Sequence, residues 1–139
     1  MAVVLVDASA LIALLDRSDA AHGRCLEALA AIHDPMATVL PALTEAMHLL
    51  GGVRRGQAAL VEMVEDGALG LVELGKDDLP RMRELMEKYS DLPMDFADAA
   101  LVRVAERDGC TRILTFDAHF GVYRLPRRAR FIVLGPQAR

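Results

Sequence analysis

Short aliphatic runs alternate with helix-forming segments along the sequence, and this alternation restricts the fold more than any other feature. Residues 3–6 form a continuous β-branched and aliphatic run, as expected of a strand covered on both faces. The Ala-Leu-Ile-Ala-Leu-Leu stretch after Ser9 predicts a helix, with Ser9 as its N-cap. A second helix fits residues 20–32. Pro35 interrupts, residues 36–40 read as a short strand, and Pro41 starts a helix that Gly51-Gly52 ends. Further helices fit residues 57–65, 77–89 and 95–107, the last closed by Gly109. Further strands fit 69–74, 112–116 and 131–134. Strands that alternate with helices predict an α/β fold, with a parallel sheet covered by helices on both faces. No linker divides the chain, and a length of 139 residues suits one domain over residues 1–139.

Charge and cysteine content exclude some classes and leave others open. Lys and Arg number 16 against 20 Asp and Glu, so overall charge does not mark a nucleic-acid binder. A local arginine patch beside a local acidic site remains compatible with that balance. Cys25 and Cys110 are isolated, which fits a reduced compartment. The apolar opening run lacks a basic leader, is broken by Asp7, and is shorter than the roughly 18 apolar residues of a membrane span. The expected location is the cytoplasm, with no membrane association.

Four acids stand where acids are costly. In open α/β sheets, ligands bind outside the carboxyl ends of the strands. Asp7 directly follows the first strand and Asp117 directly follows Arg-Ile-Leu-Thr-Phe. Asp98 shares a helix face with Met94, Leu101, Val102 and Ala105, inside an apolar stripe. Glu45 sits among Pro41, Ala42 and Leu49, about one turn after the second strand. A lone buried carboxylate must pair, bind a metal or take a proton. Neither Lys76 nor Lys88 is placed to neutralise the four. Converging acids repel one another and raise their own pKa values, and a divalent cation relieves the repulsion. Carboxylate oxygens suit Mg²⁺ or Mn²⁺ better than zinc, since His22, His33, His48 and His119 have no zinc spacing. Taken singly, Asp7 and Asp117 could be turn or helix caps and Glu45 could reach solvent. Asp95 begins its helix and reads as its cap. Asp16, Asp19, Asp34, Asp77, Asp78 and Asp91 lie in polar stretches and read as solvated.

Taken in order, LVDASALIALLD, TEAMHLL, DLPMDFADAALVRVAER and ILTFDAHFGVYRL resemble the PIN-domain proteins, specifically the small bacterial VapC-type ribonucleases. The resemblance runs from Val3 to about Leu134. It implies a three-layer α/β/α sandwich around a parallel sheet. It places the family's catalytic and metal-binding acids on Asp7, Glu45, Asp98 and Asp117. It gives Ser9 and Thr115 supporting roles, though Ser9 also suits a helix cap and Thr115 a strand. The implied activity is endoribonuclease cleavage of RNA phosphodiester bonds with Mg²⁺ or Mn²⁺. The implied partners are an antitoxin and a second copy of the chain. Arg54, Arg55, Arg124, Arg127 and Arg128 are candidate contacts to the RNA backbone, with Arg130 beside them, or a solvated surface. His119 reads as a structural or rim residue. A receiver-like domain phosphorylated on Asp is a competing expectation, but neither lysine follows a late strand. A PIN fold that binds RNA without cutting it is another, and the intact acids count against it.

Overall fold

A computed structural model describes residues 3–135. The elements run β1 (Val4–Val6), α1 (Ala8–Leu15), α2 (His22–Ala30), β2 (Met36–Val39), α3 (Leu40–Leu49) and α4 (Gly56–Glu65). They continue with β3 (Gly70–Val72), α5 (Leu79–Lys88), α6 (Phe96–Asp108), β4 (Arg112–Leu114) and β5 (Ile132–Val133). All five strands are parallel, in the order β3-β2-β1-β4-β5. The expected α/β architecture is therefore present. Short 3₁₀ turns at Lys76–Asp78, Ala118–Gly121 and Pro126–Arg128 were not legible in the sequence.

Alternation along the strands divides the core in two. Leu5 and Ile113 point to the layer built by α5 and α6, where Met82, Leu85 and Leu101 pack. Val4, Val6 and Leu114 point to the other layer, where Leu11, Cys25 and Leu60 of α1, α2 and α4 pack. Helix α3 serves both, through Ala42 on one side and Ala46 on the other. Every residue of β1 is buried, as its apolar composition requires for the central strand. Because the strands are parallel, β1, β2 and β4 deliver their following residues to one edge of the sheet. Helix α6 ends at Gly109, whose φ of 72° suits a glycine after the last turn.

Two expectations need correction. The cap of α1 is Asp7, not Ser9. The Asp7 backbone is extended and its Oδ1 accepts from the Ala10 amide at 3.1 Å. The Ser9 hydroxyl is used elsewhere, as described below. Asp78 is buried rather than solvated. Its Oδ1 accepts from Arg103 Nε at 2.8 Å, and its Oδ2 accepts from Arg107 Nη1 at 3.0 Å and the Gly75 amide at 2.9 Å. These bonds fasten the start of α5 to the second half of α6 and hold the Asp78 carboxyl below its usual range.

Candidate metal centre

Asp7, Glu45, Asp98 and Asp117 all line one cavity of about 160 Å³ at the carboxyl edge of the sheet, together with Ser9 and Asp95. Each arrives by a different route. Asp7 is the first residue beyond β1. Glu45 lies on the second turn of α3, which begins directly after β2. Asp98 lies in the first turn of α6, and Asp117 follows β4 and caps a 3₁₀ turn. Asp95 does cap α6, accepting from the Asp98 amide at 2.8 Å, but it also faces the cavity. Its capping position explained it fully in the sequence, and only the fold reveals the second role.

Hydroxyl groups fix the carboxylates. Ser9 Oγ donates to Asp7 Oδ1 at 2.7 Å and accepts from the Phe116 amide at 3.0 Å. Thr115 Oγ1 donates to Asp7 Oδ2 at 2.5 Å and accepts from the Asp117 amide at 2.9 Å. Asp7 is thus tied to the segment after β4 by two side chains. Tyr123, fully buried, donates from its hydroxyl to Asp98 Oδ2 at 3.0 Å. No apolar pattern marked Tyr123 as part of the site, since its ring packs like any core aromatic. Asp117 Oδ1 accepts from the His119 amide at 2.9 Å.

The electrostatics are those of crowded acids. Burial pushes the Asp7 carboxyl up to about 6, against the lowering effect of its hydrogen bonds to Thr115 and Ser9. Burial pushes Asp98 up to about 7, aided by the negative charge of Asp95. Glu45 is raised by burial and then by Asp95, Asp7 and Asp117. Among ion pairs between described residues, no lysine or arginine joins Asp7, Glu45, Asp95 or Asp98. A set of oxygen donors with negative charge and no balancing cation fits a hard divalent ion. The closest trio of donor atoms belongs to Asp98, Asp117 and His119, all within 4.8 Å of one another. Asp7 and Glu45 stand outside this trio and share the cavity with Asp98 and Asp117, whereas His119 lies beside Asp117 and outside the cavity lining.

The arginines stand apart from the acids. None of Arg54, Arg55, Arg124, Arg127 and Arg128 lines the acidic cavity. Arg55 pairs with Glu62 at 2.6 Å, and Arg54 is exposed beside it. The Arg124 guanidinium turns back to the carbonyls of Gly121 and Val122 at 2.9 and 2.6 Å. Arg127 and Arg128 are exposed on a turn with φ of 61° and 60°.

A model of the PIN domain family matches residues 4–125. The chain belongs to the PIN domain family. This PIN domain is 29% identical over 135 residues to Ribonuclease VapC26 of Mycobacterium tuberculosis, which covers 94% of the chain and 99% of that relative. Its fold superposes on the crystal structure of Mycobacterium tuberculosis VapC20, titled a Sarcin-Ricin loop cleaving toxin. There the TM-score is 0.80 and the identity 21%, over 86% of this chain and 93% of that one. It also resembles a chain of a toxin–antitoxin complex from Klebsiella pneumoniae, with a TM-score of 0.63 and 18% identity over 83% and 87% of the two chains. The PIN domain acquires its acidic edge from the parallel sheet order, which sets the ends of β1, β2 and β4 side by side.

Proposed function

We propose that the chain is a metal-dependent endoribonuclease that hydrolyses RNA phosphodiester bonds, and that it is the toxin of a toxin–antitoxin pair. The observation that carries this reading is the convergence of Asp7, Glu45, Asp98 and Asp117 on one cavity, with no lysine or arginine ion pair to them among the described residues. Family membership and the similarity to VapC26 and VapC20 support the same activity. Those four acids would hold Mg²⁺ or Mn²⁺. When bound, the ion supplies Lewis acidity toward water and toward the phosphate oxygens. The chain's own residues position the donors. Ser9 and Thr115 orient Asp7, and Tyr123 orients Asp98. Exposed Arg127 and Arg128, with Arg54 and Arg55, would meet the RNA phosphates.

An antitoxin protein and a second copy of the chain are the proposed partners. An exposed apolar groove supports a protein partner. Its residues Leu40, Pro41, Leu71, Leu79, Met82 and Phe96 continue past Thr44 to Glu45 and Asp95, so a bound chain there would reach the acids. Among the described residues no helix is long and apolar enough to cross a membrane. The cytoplasm, where the RNA substrates are, is the proposed location. The experiment is direct. Purified protein cleaves RNA with Mg²⁺ or Mn²⁺, EDTA stops it, and Asp98→Asn abolishes cleavage. Full activity in Asp98→Asn, with contaminating nucleases excluded, would overturn the reading.

A further inference from the structure

We propose that His119 supplies a nitrogen ligand to the ion held by Asp98 and Asp117. The centre would then favour Mn²⁺ over Mg²⁺ more than carboxylates alone would. The inference rests on the proposed role of Asp98 and Asp117 as metal ligands and adds a residue that the acidic quartet does not include.

Asp117 Oδ1 accepts from the His119 amide at 2.9 Å, and the His119 carbonyl accepts from the amides of Val122 and Tyr123 at 2.8 and 3.1 Å. The main chain of His119 is therefore bound on both sides, and the ring is what remains free to turn. That ring lies back over the site rather than away from it: Nδ1 stands 3.5 Å from Asp117 Oδ1. The ring is also 6.4 Å from the Tyr123 ring, whose hydroxyl occupies Asp98 Oδ2. Tyr123 leaves Asp98 Oδ1 as the oxygen open to an ion.

Distances fit an ion with a small adjustment. Opposite ligands of an octahedral ion with bonds near 2.1 Å are about 4.2 Å apart. The donor atoms of Asp98, Asp117 and His119 lie within 4.8 Å of one another, and His119 is only partly buried. Rotation of its side chain changes the distance of the ring nitrogen to both carboxylates without moving the backbone. A histidine that merely paired with Asp117 would sit in hydrogen-bond contact, and 3.5 Å is too long for a good bond. Imidazole nitrogen is a softer donor than carboxylate oxygen and adds more affinity for later first-row ions than for Mg²⁺.

The test uses the full chain and Mn²⁺ itself. Pulsed electron paramagnetic resonance of the Mn²⁺-loaded protein reads ¹⁴N coupling from a directly bound imidazole. Wild type shows that coupling, and His119→Phe, which keeps a ring of similar size, loses it. By calorimetry, His119→Phe binds Mn²⁺ about tenfold more weakly and Mg²⁺ less than about threefold more weakly. Mn²⁺ bound without ¹⁴N coupling, coupling that survives in His119→Phe, or equal losses for the two ions would overturn the inference. In each of those cases Asp98→Asn still abolishes binding and the carboxylate centre stands. Failure of wild type to bind Mn²⁺, or binding indifferent to Asp98→Asn, would overturn the centre and this inference together.

Discussion

The Tyr123 hydroxyl donates to Asp98 Oδ2 across 3.0 Å from a fully buried ring. Tyr89 and Phe120 hold that ring edge-on at centroid distances of 5.0 and 5.1 Å. Burial, followed by the charge of Asp98, raises the phenol pKa, so the proton stays on tyrosine and the bond keeps one direction. Tyr123→Phe preserves the ring packing and leaves Oδ2 without its donor. We expect a stability loss of about 1 kcal/mol in thermal unfolding. We expect RNA cleavage at saturating Mg²⁺ to fall by about tenfold, because Asp98 is then free to rotate. A wild-type cleavage rate would show that the bond is structural only.

The raised carboxyls make metal-free stability depend on pH. In the folded chain Asp7 and Asp98 hold protons up to about 6 and about 7, while the unfolded carboxyls release them near 3.8. Their contribution is fully present below about pH 4 and is lost as pH rises through the folded values. With EDTA, the melting temperature therefore falls between about pH 5 and pH 8. Asp98→Asn removes the proton-dependent part, and at about pH 8 without metal it melts several degrees above wild type. Excess Mg²⁺ binds the ionised acids and raises the wild-type melting temperature more at pH 8 than at pH 5. A wild-type curve that is flat over this range in EDTA would contradict the burial argument.

Ser9 and Thr115 hold the two oxygens of Asp7, but they differ in what else depends on them. Ser9→Ala leaves the Phe116 amide without its acceptor, and Thr115→Val leaves the Asp117 amide without one. Each is expected to cost about 1–2 kcal/mol in denaturant unfolding. Thr115 is fully buried, so Thr115→Val suffers the larger loss. Both variants cleave RNA more slowly than wild type, because Asp7 loses one of its fixed oxygens. Wild-type rates in both would remove these hydroxyls from the site.

Much of this was legible because period and position carry it. The strand and helix order followed from apolar runs punctuated by Gly and Pro, and the burial of Asp98 followed from its helix face. The cavity-lining position of Asp7 and Asp117 followed from their place after strands. What stayed hidden depends on contacts between distant segments. Ser9 has the composition and position of a cap, yet Asp7 takes the cap because the Ser9 hydroxyl is bound to the Phe116 amide across the sheet edge. Asp95 was legible only as a cap because its second neighbour, the cavity, is completed by α1, α3 and the turn after β4. Tyr123 looked like core because a ring and its hydroxyl can serve different ends.

Asp78 lies in a polar stretch of sequence yet is buried in the fold, and it supplies a prediction opposite to that for Asp98. Its carboxylate accepts from Arg103, Arg107 and the Gly75 amide, all remote from the cavity. Because its pKa is lowered in the fold, its contribution is present at neutral pH and is lost as pH falls through the acid range. Asp78→Asn weakens the charge-assisted bonds that join the start of α5 to α6. The partly exposed arginines can turn to water, which limits the loss to about 1–3 kcal/mol in thermal unfolding at pH 7. The difference from wild type narrows as pH falls below about 4. Cleavage at a temperature where both proteins are folded stays within about twofold of wild type, since Asp98 keeps its bonds to Tyr123 and Asp95. The two substitutions thus separate the ends of α6. One at Asp98 stabilises the metal-free fold and abolishes cleavage, while one at Asp78 weakens the fold and preserves it. Loss of cleavage in a folded Asp78→Asn protein would show that the α5–α6 ion pairs also set the position of Asp98.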